Sequence, residues 1–248
     1  MKKNKKIIII FLGLLIVTAT IFAQTFPKVT LGLDQTSDPK DVAVTLQILL
    51  LITVLSLAPS ILILMTSFTR ISIVLGMLRK AAGTQSAPSN KIVIAFSLFL
   101  TFFIMSPVFK NANDEALQPY LRGELTHQEA YKVGIQPFRD FMLKYTREKD
   151  LALMIKNSKI ARPNNAEELP LQVIVPAFAI SEIRIALQMG FLIYLPFLMI
   201  DMIIASILMS MGMMMLPPVL ISAPFKILLF VLVDGWYIVI ESLVKSFH

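Results

Sequence analysis

Ser222 and Lys226 stand four residues apart in an apolar run, the spacing at which a helical lysine can approach a serine hydroxyl and activate it as a nucleophile. Catalysis by such a pair needs an oxyanion-stabilising turn and a third group to orient the lysine, and the flanking residues supply neither. No Walker A loop, Rossmann glycine fingerprint or HExxH occurs. His127 and His248 are too far apart to mark a metal site, and a chain without cysteine has no thiolate ligand or disulfide. The residue types therefore point away from an enzyme and from any cofactor.

Five charged residues fall within or beside apolar segments: Glu182, Arg184, Asp201, Lys226 and Asp234. Each is costly facing lipid, so each should face protein or water and find a partner. Glu182 and Arg184, two apart on one helix, point to different sides. Lys226 and Asp234 share a face but are separated by roughly 12 Å along a helix axis. Folding the hairpin about Leu216 brings Lys226 nearer to Asp201 yet leaves the two offset by several residues. This arithmetic favours partners in other copies or other proteins, and the five are read as subunit-contact charges. The alternative is that some lie at helix ends among lipid headgroups.

Seven of the fourteen methionines lie between Met199 and Trp236: Met199, Met202, Met209, Met211, Met213, Met214 and Met215. Thioether side chains are unbranched and adaptable, and a cluster of them is ordinarily core filler. Here Pro217-Pro218 follows at once, and a helix does not easily continue through it. Met213–Leu216 should then project as a loop or frayed end at a hairpin tip. A symmetric ring of such tips would plug a channel, which makes Met211, Met213, Met214 and Met215 the candidate gate residues.

The elements that carry these groups follow from composition. Of 248 residues, 56% are hydrophobic, which indicates an all-α membrane protein. Formal net charge is +7, but Lys2, Lys3, Lys5 and Lys6 precede the apolar stretch Ile7–Val17. Residues 1–23 read as a signal peptide ending at Ala23, with the bulky Ile21 at position −3 and an uncleaved anchor as the alternative. There is no basic stripe with interleaved aromatics, hence no nucleic-acid surface. Residues 24–41 form a polar, periplasmic lead-in.

Residues 42–109 make a first apolar helix hairpin, with a charge-free helix Val42–Phe68 kinked or broken at Pro59 and a second helix Ile92–Phe109. Arg70, Arg79, Lys80 and Lys91 bracket its polar turn, Gly83–Asn90. Residues 110–170 form a soluble amphipathic helical segment. Thr126 and Glu129 fit a capping box, and Pro137 is placed to open another helix. Phe138, Phe141, Met142 and Tyr145 make one apolar packing stripe, continued by Leu151, Met154 and Ile155 until Arg162-Pro163-Asn164-Asn165 stops it. Residues 171–248 make a second apolar hairpin, Leu171–Ser210 and Leu216–Phe247, interrupted by Pro176, Pro196, Pro217, Pro218 and Pro224. Hydropathy thus predicts four membrane helices, and the positive-inside rule puts the Arg70–Lys91 turn in the cytoplasm and residues 110–169 outside.

Several of these segments resemble the FliP/SctR family of type III secretion export-gate proteins. They are Leu55-Ser56-Leu57-Ala58-Pro59, Met65–Arg70, Phe99–Pro107, Pro176–Glu182 and the whole methionine segment to Trp236, in the family's order. The resemblance implies an inner-membrane protein of the flagellar basal body. It implies a homo-oligomer, pentameric in the family, that assembles with FliQ and FliR near FlhB and FlhA and passes unfolded flagellar subunits. The family's methionine gasket maps onto Met213, Met214 and Met215, and Glu182 and Lys226 match charges used at subunit contacts. It also implies bent hairpins shielded by neighbours and displaced towards the periplasm, instead of four plain spans in lipid. The virulence injectisomes contain a close relative, and the alternative classes are a pore-free scaffold or a secondary transporter. The last would predict an internal inverted repeat, and none is visible.

Overall fold

Ile71, Val74, Leu75 and Leu78 recur at helical spacing and are at most 2% exposed, so one face of a short helix is buried entirely. Burying each such side chain contributes about 1.5–3 kcal/mol. The structure, a computed structural model, describes residues 39–83, 88–158, 168–213 and 215–247. The signal-peptide reading of 1–23, most of the lead-in, the Arg162-Pro163-Asn164-Asn165 stop, Met214 and His248 lie outside the described residues. Those described are helices and turns, with no strand.

The helices in chain order are α1 Pro39–Leu64, α2 Phe68–Ala81, α3 Asn90–Ala112, α4 Gln118–Leu121, α5 His127–Tyr145, α6 Glu148–Asn157, α7 Leu171–Ser210, α8 Pro218–Leu232 and α9 Gly235–Lys245. One π-helical turn, Asn113–Leu117, joins α3 to α4. The chain divides into two units, Met1–Thr53 and Val54–His248. In the first, α1 displays Leu49, Leu50 and Leu51 to the outside. In the second, α2 packs most extensively on α7 and also on α3, while α5 and α6 pack on α7 as well. Its core joins the α2 face to Val173, Ile174 and Phe178 of α7, Met105 of α3, Phe141 and Met142 of α5, and Leu243 of α9.

Several sequence expectations are corrected. The first apolar helix stops at Leu64, before Phe68, and runs through position 59 without a break. The stretch after it is the buried helix α2, not a flank of the polar turn. Pro176 and Pro196 lie inside one continuous α7 of 40 residues, and Pro224 lies inside α8; only Pro217-Pro218 stands at a boundary. Pro137 lies inside α5 and does not start a helix. The last predicted helix, Leu216–Phe247, is two helices bent by 62° at Val233-Asp234. Asp234 there adopts a left-handed conformation (φ 50°, ψ 53°), which aspartate tolerates better than most residues. Gly235 follows because a Cβ there would lie 2.2 Å from the Phe230 ring.

Among the described residues, Asn90–Leu121 and Leu171–Ser210 are long and apolar enough to cross, with the bent α8–α9 pair as a third if counted as one. Inside such helices, hydroxyls return their hydrogen bonds to their own backbone. Ser97 Oγ donates to the Val93 carbonyl and Thr101 Oγ1 to that of Ser97, both at 2.7 Å.

The predicted capping box at α5 is present: Thr126 Oγ1 accepts from the Glu129 amide, and Glu129 Oε2 accepts from the Thr126 amide at 2.9 Å. The hydroxyl and amide of Thr126 hold the Glu129 carboxyl below the usual carboxylate range. A lowered value means that its stabilisation is complete above the ordinary carboxylate pKa and is lost as pH falls through the lowered one. Amide exchange in the first turn of α5, corrected for intrinsic rates, should accelerate as pH drops into that range. In Glu129→Ala it should be fast already at neutral pH, with that acid dependence gone; an unchanged exchange profile would remove the box from the account of α5.

Candidate functional site

The methionine tip has two fixed ends. Gly212, at φ +74°, closes α7 in a Schellman arrangement. The Met213 amide donates to the Leu208 carbonyl at 2.9 Å, and the Gly212 amide to that of Met209 at 3.1 Å. The chain then turns once, the Leu216 amide donating to the Met213 carbonyl at 3.3 Å, and Pro217-Pro218 opens α8. Glycine thus ends one helix and two prolines begin the next. Met211 is 66%, Met213 43% and Met215 98% exposed, so thioether surface that would ordinarily be buried faces outward. The tip projects, as its sequence predicts.

Just behind the tip, Asp201 of α7 bridges two groups of α8. Lys226 Nζ donates to Asp201 Oδ2 at 2.6 Å, and the Ser222 hydroxyl donates to Oδ1. Lys226 is 3% exposed, whereas the Asp201 side chain is 23% exposed. The sequence arithmetic placed the pair out of register because it folded the hairpin at Leu216. Counted from the real helix ends, Asp201 lies nine residues before Ser210 and Lys226 eight after Pro218, so they are level. Ser222 and Lys226 thus both serve one carboxylate.

Glu182 is fully buried and carries the second ion pair. Arg70 Nε donates to Glu182 Oε2 at 3.0 Å, and Arg70 Nη2 donates to Oε1. Its remaining nitrogen, Nη1, donates to the Ser246 carbonyl at 3.0 Å and hydroxyl at 2.8 Å. The Phe247 ring covers the guanidinium, centroid 3.9 Å from Cζ, and the Tyr145 hydroxyl donates to the Phe247 carbonyl. Arg70 thereby ties α2, α5, α7 and the end of the chain together. Nearby, Asp150 at the start of α6 is buried and accepts from the Ser181 hydroxyl at 2.8 Å.

Glu182, Asp201 and Lys226 therefore find partners within the chain, which corrects the expectation of partners elsewhere. Arg184 and Asp234 do not: both are exposed and make no ion pair among the described residues. The stripe behaves as expected, with Phe141 and Met142 buried and Phe138 and Tyr145 packed on the same core. In the sequence Arg70 stands out only as a turn-flanking cation. Its spacing to Val74 and Leu78 puts it on the buried face of α2, and that pattern was the available sign that it needs an acid inside the core.

Residues 51–243 match the model of the FliP family. The Flagellar biosynthetic protein FliP of Bacillus subtilis (strain 168) is 56% identical over 211 residues, spanning 85% of this chain and 96% of that protein. The protein of the same name from Aquifex aeolicus (strain VF5) is 50% identical over 206 residues, spanning 82% and 86%. That from Pectobacterium carotovorum subsp. carotovorum is 45% identical over 237 residues, spanning 96% and 91%.

Removing one member of the Arg70–Glu182 pair leaves a buried charge uncompensated, a loss of about 3–5 kcal/mol. Arg70→Met should lower the melting temperature of the detergent-purified protein accordingly, and adding Glu182→Leu should recover most of the loss. Lys226→Met should cost less, because Asp201 is partly open. A double variant no more stable than Arg70→Met would show that the damage is not uncompensated charge.

Proposed function

Because the chain belongs to the FliP family, we propose that it is a core subunit of the flagellar type III secretion export gate. In this reading copies of the chain, pentameric by family resemblance, assemble with FliQ and FliR beside FlhA and FlhB. They enclose a path for unfolded flagellar subunits and catalyse no reaction. Its site is the bacterial inner membrane at the flagellar basal body, reached after residues 1–23 act as a signal peptide. The flagellar names of the relatives favour this system over the injectisome.

The observation that carries the reading is the exposed methionine tip. A lone chain has no reason to hold Met211, Met213 and Met215 outward on a loop pinned at both ends. Several copies meeting on one axis would bury them against one another, with Met214 among them. Flexible, polarizable thioethers would then seal against ions and still part for a polypeptide. The broad exposed apolar surface of α3 and α7, for example Phe99 at 78% and Met202 at 72%, calls equally for cover by neighbours or lipid.

Replacing Met213, Met214 and Met215 together by alanine should leave assembly intact and make the closed gate leak. Planar-bilayer recordings on the purified complex should show steady ion conductance in the triple variant and almost none in the parent. A tight triple variant that still supports normal flagellar export would reject the gate assignment.

A further inference from the structure

Glu241 and Lys245 of α9 pair with each other at 2.6 Å, and charge accounting over the rest of α7–α9 leaves one cation and one anion. Of the five charged residues from Glu182 to Asp234, Glu182 is neutralised by Arg70 and Asp201 by Lys226. Arg184 and Asp234 remain, each exposed and ringed by apolar side chains. Arg184 lies in a shallow groove with Ile180, Ile183, Leu187 and Phe191. Asp234 is flanked by Leu232, 74% exposed, and Tyr237, 61% exposed. A single charge in an apolar rim is unfavourable against lipid and favourable against an opposite charge.

The two cannot satisfy each other within one chain. Val233 and Gly235, on either side of Asp234, line an apolar cavity of about 310 Å³ together with Ile193 and Phe197 of α7. Asp234 thus sits over the α7 face that carries Ile193. Arg184 precedes Ile193 by nine residues, which at about 100° per residue is half a turn. The charges therefore occupy opposite faces of α7. Complementary patches on opposite faces are what a head-to-tail contact between identical chains requires, and such contacts propagate around an axis.

We propose that Arg184 of one copy pairs with Asp234 of the next, and that this contact sets the order of copies around the gate. The inference rests on the homo-oligomer of the proposed function and names the surfaces that build it. Each interface uses one Arg184 groove and one Asp234 joint, so all charges of α7–α9 are matched and none is left over. The two sites differ by roughly 14–20 Å along α7 at 1.5 Å per residue. Adjacent α7 helices must then slide past each other, which inclines α7 to the axis of assembly.

The chain has no cysteine, which gives a direct test. Full-length protein carrying Arg184→Cys and Asp234→Cys, treated in membranes with a short bismaleimide, should give a ladder at multiples of the chain mass. Either single substitution should give none. A particle of parental size with no ladder overturns the pairing while leaving the gate subunit reading intact; a parental protein that is itself a lone chain overturns that reading. Charge reversal gives the second arm. Arg184→Asp or Asp234→Arg alone should reduce the yield of assembled particle about tenfold or more, equivalent to at least about 1.4 kcal/mol per contact. Both together should restore it. Equal yields in all variants would mean that headgroups or water satisfy these charges, and the pairing would be wrong.

Discussion

A guanidinium inside the core is the constraint to which the rest of the fold is fitted. A guanidinium carries five N–H donors and no acceptor, so its surroundings must supply acceptors. Glu182 provides two, the backbone and hydroxyl of Ser246 provide two more, and Phe247 lies across the face. These groups come from helices far apart in the chain. Their meeting fixes how α2 lies on α7 and where α9 ends. The planar fork of arginine suits this arrangement in a way that the single ammonium of lysine would not. Lys226 has a simpler task, one carboxylate at a partly open hairpin, and a compact ammonium suffices there.

What could be read from the residues was local, and what could not was the closing of distances. Leu171–Ser210 is a helix with the predicted ends because forty residues of strong apolar bias outweigh two internal prolines. The Thr126–Glu129 box and the stripe from Phe138 to Tyr145 are set by neighbours three to seven residues away, and both are present. The α8–α9 bend leaves little mark on hydropathy, because Asp234-Gly235 is a two-residue break with apolar residues on both sides. The alignment of Asp201 with Lys226 depends on where the turn begins and ends, and folding the hairpin at Leu216 puts its midpoint too far towards α8. Arg70 was missed for a different reason: a cation beside a turn is usually solvated, and only its register with Val74 and Leu78 says otherwise.

The methionine tip and the Asp201–Lys226 pair lie in sequence along one hairpin, and Glu182, the acid of the other pair, lies further back on its α7 stem. The Schellman closure at Gly212 ends one stem, Pro217-Pro218 starts the other, and the Asp201–Lys226 bridge holds the two in register. Soft side chains are thus presented on a stiff support. In the proposed function this separates two demands: the stems keep copies aligned while the thioethers deform around whatever passes.

The roof over Arg70 also has a meaning for biosynthesis. Its acid lies 112 residues downstream and its last acceptors 176 downstream. The ribosome therefore delivers an arginine bound for a dry interior long before anything exists to neutralise it. Until Glu182 and Ser246 have been made, the Arg70 guanidinium lacks the acceptors that the folded core supplies. Packing of α2 into the core is thereby coupled to segments synthesised much later, and a chain lacking Ser246 and Phe247 would be left with an unshielded guanidinium.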